Sequence, residues 1–110
     1  MKDAETAARE HAARVIRTDP HASDDLASSV QLTPPDLLER LAGWRFDGFE
    51  LVAHARIGAH HVFKTKYVGP TTVVVQAHWA QNAVGVWQIL DAEIARLEVR
   101  EGPSGCSAPS

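Results

Sequence analysis

The sequence predicts an α+β domain in which N-terminal helices pack on a curved antiparallel β-meander of about four strands. Three observations predict it. The first third of the chain carries apolar residues at helical spacing, with capping residues around them. From about Trp44 to about Glu98 the period drops to two, in runs rich in β-branched and aromatic residues. Those runs are divided by Asp47-Gly48, Gly58-Ala59, Gly69-Pro70 and Gln81-Asn82, each of them a turn signal.

Residues 3 to 17 read as an amphipathic helix. Ala4, Ala7, Ala8, His11, Ala12, Val15 and Ile16 form one stripe, and Glu5, Arg9, Glu10, Arg14 and Arg17 lie off it. Asp19-Pro20 ends it, because proline disfavours helical geometry in the residue before it. A short second helix is expected from Ser23, with Asp24 and Asp25 at its positive end and Leu26, Ala27 and Val30 facing inward. A third follows, capped by Thr33, with Pro34 in its first turn and Asp36 as the capping-box acid. Leu37, Leu38 and Leu41 are its buried stripe, and Gly43 is placed to close it in the left-handed conformation.

The strands follow. Trp44 to Leu51 alternates around Asp47-Gly48 as a hairpin would. Phe49, Leu51, Ala53, Ala55 and Ile57 continue one face, and Glu50, Val52, His54 and Arg56 the other. His61–Val68, Thr71–Trp79 and Val84 to about Leu97 are the remaining strands. A three-residue loop at Gly58-Ala59-His60 pairs Ala55 with Phe63, Ala53 with Thr65 and Leu51 with Tyr67, and keeps Lys64 and Lys66 off the apolar face. At Gly69-Pro70 two registers stand open. A two-residue turn sends Thr72, Val74, Gln76 and His78 inward; a three-residue loop sends Val73, Val75, Ala77 and Trp79. With a two-residue turn at Gln81-Asn82, Gln76 and His78 share a face with Trp87, Ile89 and Asp91. Neither face of these last strands is polar enough to be simply solvated, which predicts a homodimer through the sheet.

The bulk numbers bound the rest. A chain of 110 residues with 45% hydrophobic content fits one domain, expected over 1–98, with 99–110 as a disordered tail rich in Gly, Pro and Ser. A net charge of −3, with eleven Lys and Arg scattered among fourteen acids, gives no basic stripe for nucleic acid. No apolar run is long enough to span a bilayer, and the N-terminus lacks a signal peptide's apolar stretch. The single cysteine, Cys106, cannot form an internal disulfide, and a cytoplasmic location is the default expectation. Its place in the tail gives no support to a nucleophilic role.

Helices first, then a meander whose last strand opens with Gly85-Val86-Trp87-Gln88-Ile89, resembles the nuclear transport factor 2-like (NTF2-like) superfamily. The SnoaL-like polyketide cyclases and the ketosteroid isomerases belong to it. The Gly-x-Trp-x-Ile spacing near the start of the final strand carries the resemblance, which covers most of residues 3 to 98. The chain departs from the pattern in lacking the strand pair expected between the second and third helices. The resemblance implies a cystatin-like or NTF2-like cone, an apolar pocket between sheet and helices, and dimers through the outer sheet face. It implies no particular reaction, because such folds host isomerases, cyclases, hydrolases and plain binding proteins.

The residues offer one catalytic constellation. His61, Gln76, His78 and Asp91 can share a face, with Phe63, Tyr67 and Trp87 as further pocket lining. A carboxylate beside a histidine orients the ring as a general base, so His78 and Asp91 are the candidate catalytic pair. The bland reading makes the same groups surface or interface polars. Asp91 and Glu93 share a strand face, and Glu93 reads as solvating the strand. His54 and Arg56 share the Glu50 and Lys64 face and read as cross-strand charge pairing or a dimer contact. His60 and His61 point to opposite faces and no ligand spacing is recognisable, so no metal or other cofactor is expected. Two functions remain open: a protein that binds a small apolar ligand beneath the sheet, with or without catalysis, and an interaction module using the exposed sheet face. The first needs a pocket with a few inward polar groups; the second a filled interior.

Overall fold

The structure, a computed structural model, describes residues 3–99. The expected disordered tail beyond Val99, including Cys106, lies outside the described residues.

Helix α1 spans Ala4–Ile16. The Asp3 carboxylate caps it by accepting the Thr6 N–H at 2.8 Å, which holds the carboxyl below its ordinary range. Ala4, Ala7, Ala8, His11, Ala12 and Val15 are buried, as the stripe predicts. Small side chains bring the helix close over β2 (Gly48–Ile57) and β3 (His60–Val68). The helix ends at Ile16, and the chain turns away through Thr18, in the left-handed region at φ 55°, with Thr18 N–H bonded to Val15 O and Asp19 N–H to Arg14 O.

The second expected helix is not there. Pro20–Asp25 is a 3-10 helix, and Leu26–Thr33 is a strand, β1, paired in parallel with β5 (Trp87–Val99). Leu26 aligns with Ile89 and Leu32 with Ala92. The pairing partner lies far along the chain, and the hydrogen bonds offered by the edge of β5 outweigh the local capping signals of Ser23 to Asp25. Helix α2 is short, Leu37–Gly43, and buries Leu37 and Leu41. Its N-cap is Asp36 rather than Thr33, and it closes through Trp44 in extended geometry, not through a left-handed Gly43.

The sheet has five strands in the order β1-β5-β4-β3-β2, with β4 at Thr71–Gln81. All neighbours are antiparallel except β1 with β5. Asp47-Gly48 does not turn a hairpin. Asp47 N–H donates to Val68 O at 2.7 Å and Gly48 opens β2 opposite Val68. The residues before it leave the sheet, and Phe46 buries its ring against Tyr67, centroids 5.3 Å apart.

Three bulges set which way the side chains face. Val52 is an extra residue in β2, between the Leu51–Thr65 and Ala53–Lys64 pairs. Its effect is to reverse the face midway. Phe49 and Leu51 face inward with Tyr67 and Thr65, while beyond the bulge His54 and Arg56 face inward beside Phe63 and His61. The turn is the tight one, Gly58-Ala59, with Ile57 opposite His60. The expected Ala55–Phe63 register fails because it assumed an unbroken strand; the bulge keeps Lys64 outside without lengthening the turn. Of the two registers open at Gly69-Pro70, the structure has the one that buries Val73, Val75, Ala77 and Trp79. The β4–β5 connection is the longer loop Asn82–Val86, not a two-residue turn. The Asn82 carboxamide oxygen accepts from Val84 N–H and Val86 N–H, and Gly85 takes φ 84°. Bulges at Leu90 and Ala95 complete the sheet.

Candidate functional site

The inner face of the sheet, α1 and α2 enclose one core. At its centre lies a cavity of about 20 Å³, lined by His11, Thr65, Tyr67, Trp79 and the leucines of α2. That is room for about one water molecule, against the several hundred Å³ of ordinary small-molecule sites. His11 is buried, and its Nδ1 lies 2.9 Å from Asp25 Oδ2. The same oxygen accepts from Arg14 Nη1 at 2.8 Å. The His11 ring meets Trp79 edge-on, centroids 5.7 Å apart. Burial pushes the Tyr67 hydroxyl far above its ordinary pKa, so it stays protonated. The result is an imidazole oriented by a carboxylate beside an apolar space, the arrangement a general base requires.

This dyad is what sequence reading missed. Spacing alone makes His11 one member of the buried stripe, and Asp25 a dipole partner of a helix that does not form. A histidine in a stripe otherwise made of alanine, valine and isoleucine is the available signal.

The four predicted polar residues do not converge. His61, Phe63 and Tyr67 lie on the inner face of β3, and Trp87 packs against the core beside them. Gln76, His78 and Asp91 lie on the outer face. The β3–β4 register that buries Val75, Ala77 and Trp79 puts Gln76 and His78 outside, and the bulge at Leu90 puts Asp91 there too: Ile89 aligns with Trp79 inside, and the next registered residue, Asp91, aligns with His78 outside. His78 and Asp91 do meet, Nδ1 to Oδ2 at 3.2 Å, but away from the apolar walls of Tyr67 and Trp87. His60 joins them, its Nδ1 2.8 Å from His78 Nε2.

A second histidine pair sits at the same end of the sheet on the inner side. His54 Nε2 and His61 Nδ1 are 2.8 Å apart. His54 stacks on Phe63 at 4.2 Å, and His61 meets Trp87 edge-on at 5.3 Å. Desolvation, then the neighbouring His54 and Arg56, lowers the His61 pKa. The Arg56 Nε–H donates to Gly58 O at 3.1 Å. His60 and His61 do point to opposite faces. Among the described residues no three His, Cys, Asp or Glu cluster as metal ligands, and no helix is long and apolar enough to cross a membrane.

Helices ahead of a curved sheet, enclosing a core against one face and leaving the other bare, define an NTF2-like fold. Two solved structures are similar. One is an NTF2-like protein of unknown function from Silicibacter pomeroyi, with TM-score 0.61 and 10% identity, covering 89% of this chain and all (100%) of that one. The other is an NTF2-like protein of unknown function from Cytophaga hutchinsonii, with TM-score 0.58 and 8% identity, covering 89% of this chain and 92% of that one. At such identities the likeness is one of fold. No protein-family model matches the sequence, and no curated protein sequence matches it.

Proposed function

We propose that this chain is an interaction domain that pairs with a second copy of itself through the outer face of the sheet. The observation that carries this reading is the contrast between a filled interior and an uncovered outer face. Val62 and Val74 are half-buried there, yet neither belongs to the core. A groove of about 240 Å³, lined by Val52, Lys66, Thr72, Val74, Arg96 and Glu98, crosses the same face. Its charge is split across a neutral centre. Lys64 on β3, Gln76 on β4 and Glu93 on β5 fall in one row. A twofold axis along β4 brings Lys64 of each copy against Glu93 of the other, which makes that row complementary to itself; in the next row Lys66 falls against Arg96, whose guanidinium is paired with Glu98 at 2.8 Å.

Light scattering tests this. The wild-type chain is expected as a dimer, and Val74→Arg, which puts two like charges at the centre, as a monomer with an unchanged circular dichroism spectrum. Lys64→Glu is expected to weaken the dimer at least about tenfold, and adding Glu93→Lys to restore it. A monomeric wild type, or a dimer indifferent to Val74→Arg, overturns the reading.

The His11–Asp25 dyad favours a second reading: a small apolar ligand beneath the sheet, with His11 as general base in the role first given to His78 and Asp91. Isomerase, cyclase and hydrolase chemistry all use such a base. A ligand would need α2 to withdraw Leu37, Leu38 and Leu41 from the cavity. Leu38→Ala widens that space, so an apolar aromatic probe such as indole is expected to raise the melting temperature of the variant more than that of wild type. No shift in either protein sets this reading aside.

A further inference from the structure

We propose that His60 and His78 form a two-histidine site for a divalent transition-metal ion at one end of the outer sheet face, with Asp91 as a positioning residue. The inference goes beyond self-association. Both ligands come from one chain, so it stands whether or not the chain dimerises.

The geometry begins with the strands. His60 opens β3, and its outward neighbour Val62 aligns with His78 on β4, so the two rings meet on the diagonal between strands. Such diagonal neighbours lie within reach of long side chains. His60 Nδ1 and His78 Nε2 come to 2.8 Å. An ion at the usual imidazole bond length of about 2.0–2.1 Å from both nitrogens would subtend roughly 85–90° between them. That is the angle of six-coordinate or square-planar ions, nickel(II) and copper(II) above all, rather than of tetrahedral zinc. Binding the ion displaces the proton between the rings: it leaves His60 Nδ1 for solvent, His60 takes one up at Nε2, and both facing nitrogens then give their lone pairs to the metal.

Asp91 supplies the second requirement. Its Oδ2 accepts from His78 Nδ1, which leaves the Nε2 lone pair facing His60. A carboxylate behind a ligating imidazole fixes the tautomer and strengthens the ligand. The surrounding charges also suit a cation. Asp91 lies directly across from His78, and Glu93 is the next acid on that face, with Lys64 in the Glu93 row.

The pair His54 and His61 provides an internal control. Its nitrogens are also 2.8 Å apart, but the residue in register with His61 is Arg56, whose guanidinium opposes a cation. Asp3 also acts on His61, but more weakly than His54 and Arg56 do, so the two pairs with equal spacing differ in the charge beside them and only His60 and His78 suit the ion.

Titration of nickel(II) into the untagged full chain, followed by calorimetry, tests the assignment. One ion per chain is expected. His78→Ala and His60→Ala are each expected to abolish binding, and His54→Ala to leave it unchanged. Asp91→Asn is expected to keep the stoichiometry but weaken affinity about 10- to 100-fold, with the metal-free melting temperature unmoved. The copper(II) resonance spectrum of the wild type is expected to show two coordinated nitrogens. No binding by wild type, binding that survives His78→Ala, or binding lost in His54→Ala overturns the proposal.

Discussion

Replacing Trp79 with alanine is expected to cost about 3–5 kcal/mol of folding stability. Trp79 is 1% exposed, on the inner face of β4, and the largest of the fully buried side chains. It aligns with His61 on one side and Ile89 on the other, and its ring carries the edge-on contact with His11. Removing it strips apolar contacts from the centre of the only core among the described residues and leaves a void that the surrounding strands cannot close. A domain of this size has about 5–15 kcal/mol in total, so the loss is a large fraction of it. The melting temperature is expected to fall by at least about 12 °C, measured by circular dichroism. A change of only a few degrees would mean that the inner face of β4 is not the core.

The second large effect is expected at Gly69. A Cβ there would lie 2.2 Å from the Arg45 carbonyl oxygen, and 3.2 Å from Phe46 Cα. These are backbone atoms that cannot swing aside as a side chain can. The Trp44–Asp47 segment is pinned by Asp47 N–H on Val68 O and by Phe46 against Tyr67. Gly69→Ala must therefore push two anchored backbones apart, at a cost of about 3 kcal/mol. Gly48→Ala is the control: a Cβ there meets nothing within 4 Å, and its effect is expected to stay below about 1 kcal/mol. Urea denaturation of the two variants separates the outcomes. Equal midpoints would refute the close approach of the β3–β4 turn to the segment before β2.

The site was legible in the sequence only in pieces. That His78 and Asp91 lie on one face is legible, because each sits on a long strand, and their side chains meet at 3.2 Å. They do not join His61, Tyr67 and Trp87, because the β3–β4 register turns His78 outward and the extra residue at Leu90 turns Asp91 outward with it. The same happened in β2. Its apolar alternation runs through Val52 as if regular, yet the bulge there delivers His54 to the side of Phe63. The dyad of His11 and Asp25 was hidden for another reason: Asp25 was assigned to a helix that does not form.

What the sequence by itself determined is what rests on near neighbours. The α1 stripe, the breaks after Thr18 and at Gly58-Ala59 and Gly69-Pro70, and the strand character of β2 to β5 all follow from spacing within a few residues. What only the tertiary structure decided is what rests on distant partners. The parallel pairing of β1 with β5 overrides local capping, because the free edge of a strand some sixty positions away satisfies the backbone of Leu26–Thr33. The bulge at Val52 decides the face of His54, the β3–β4 register that of His78 and the bulge at Leu90 that of Asp91, because a single added residue reverses every side chain beyond it. Periodicity reads that a strand is two-faced; only the assembled sheet decides which face is covered.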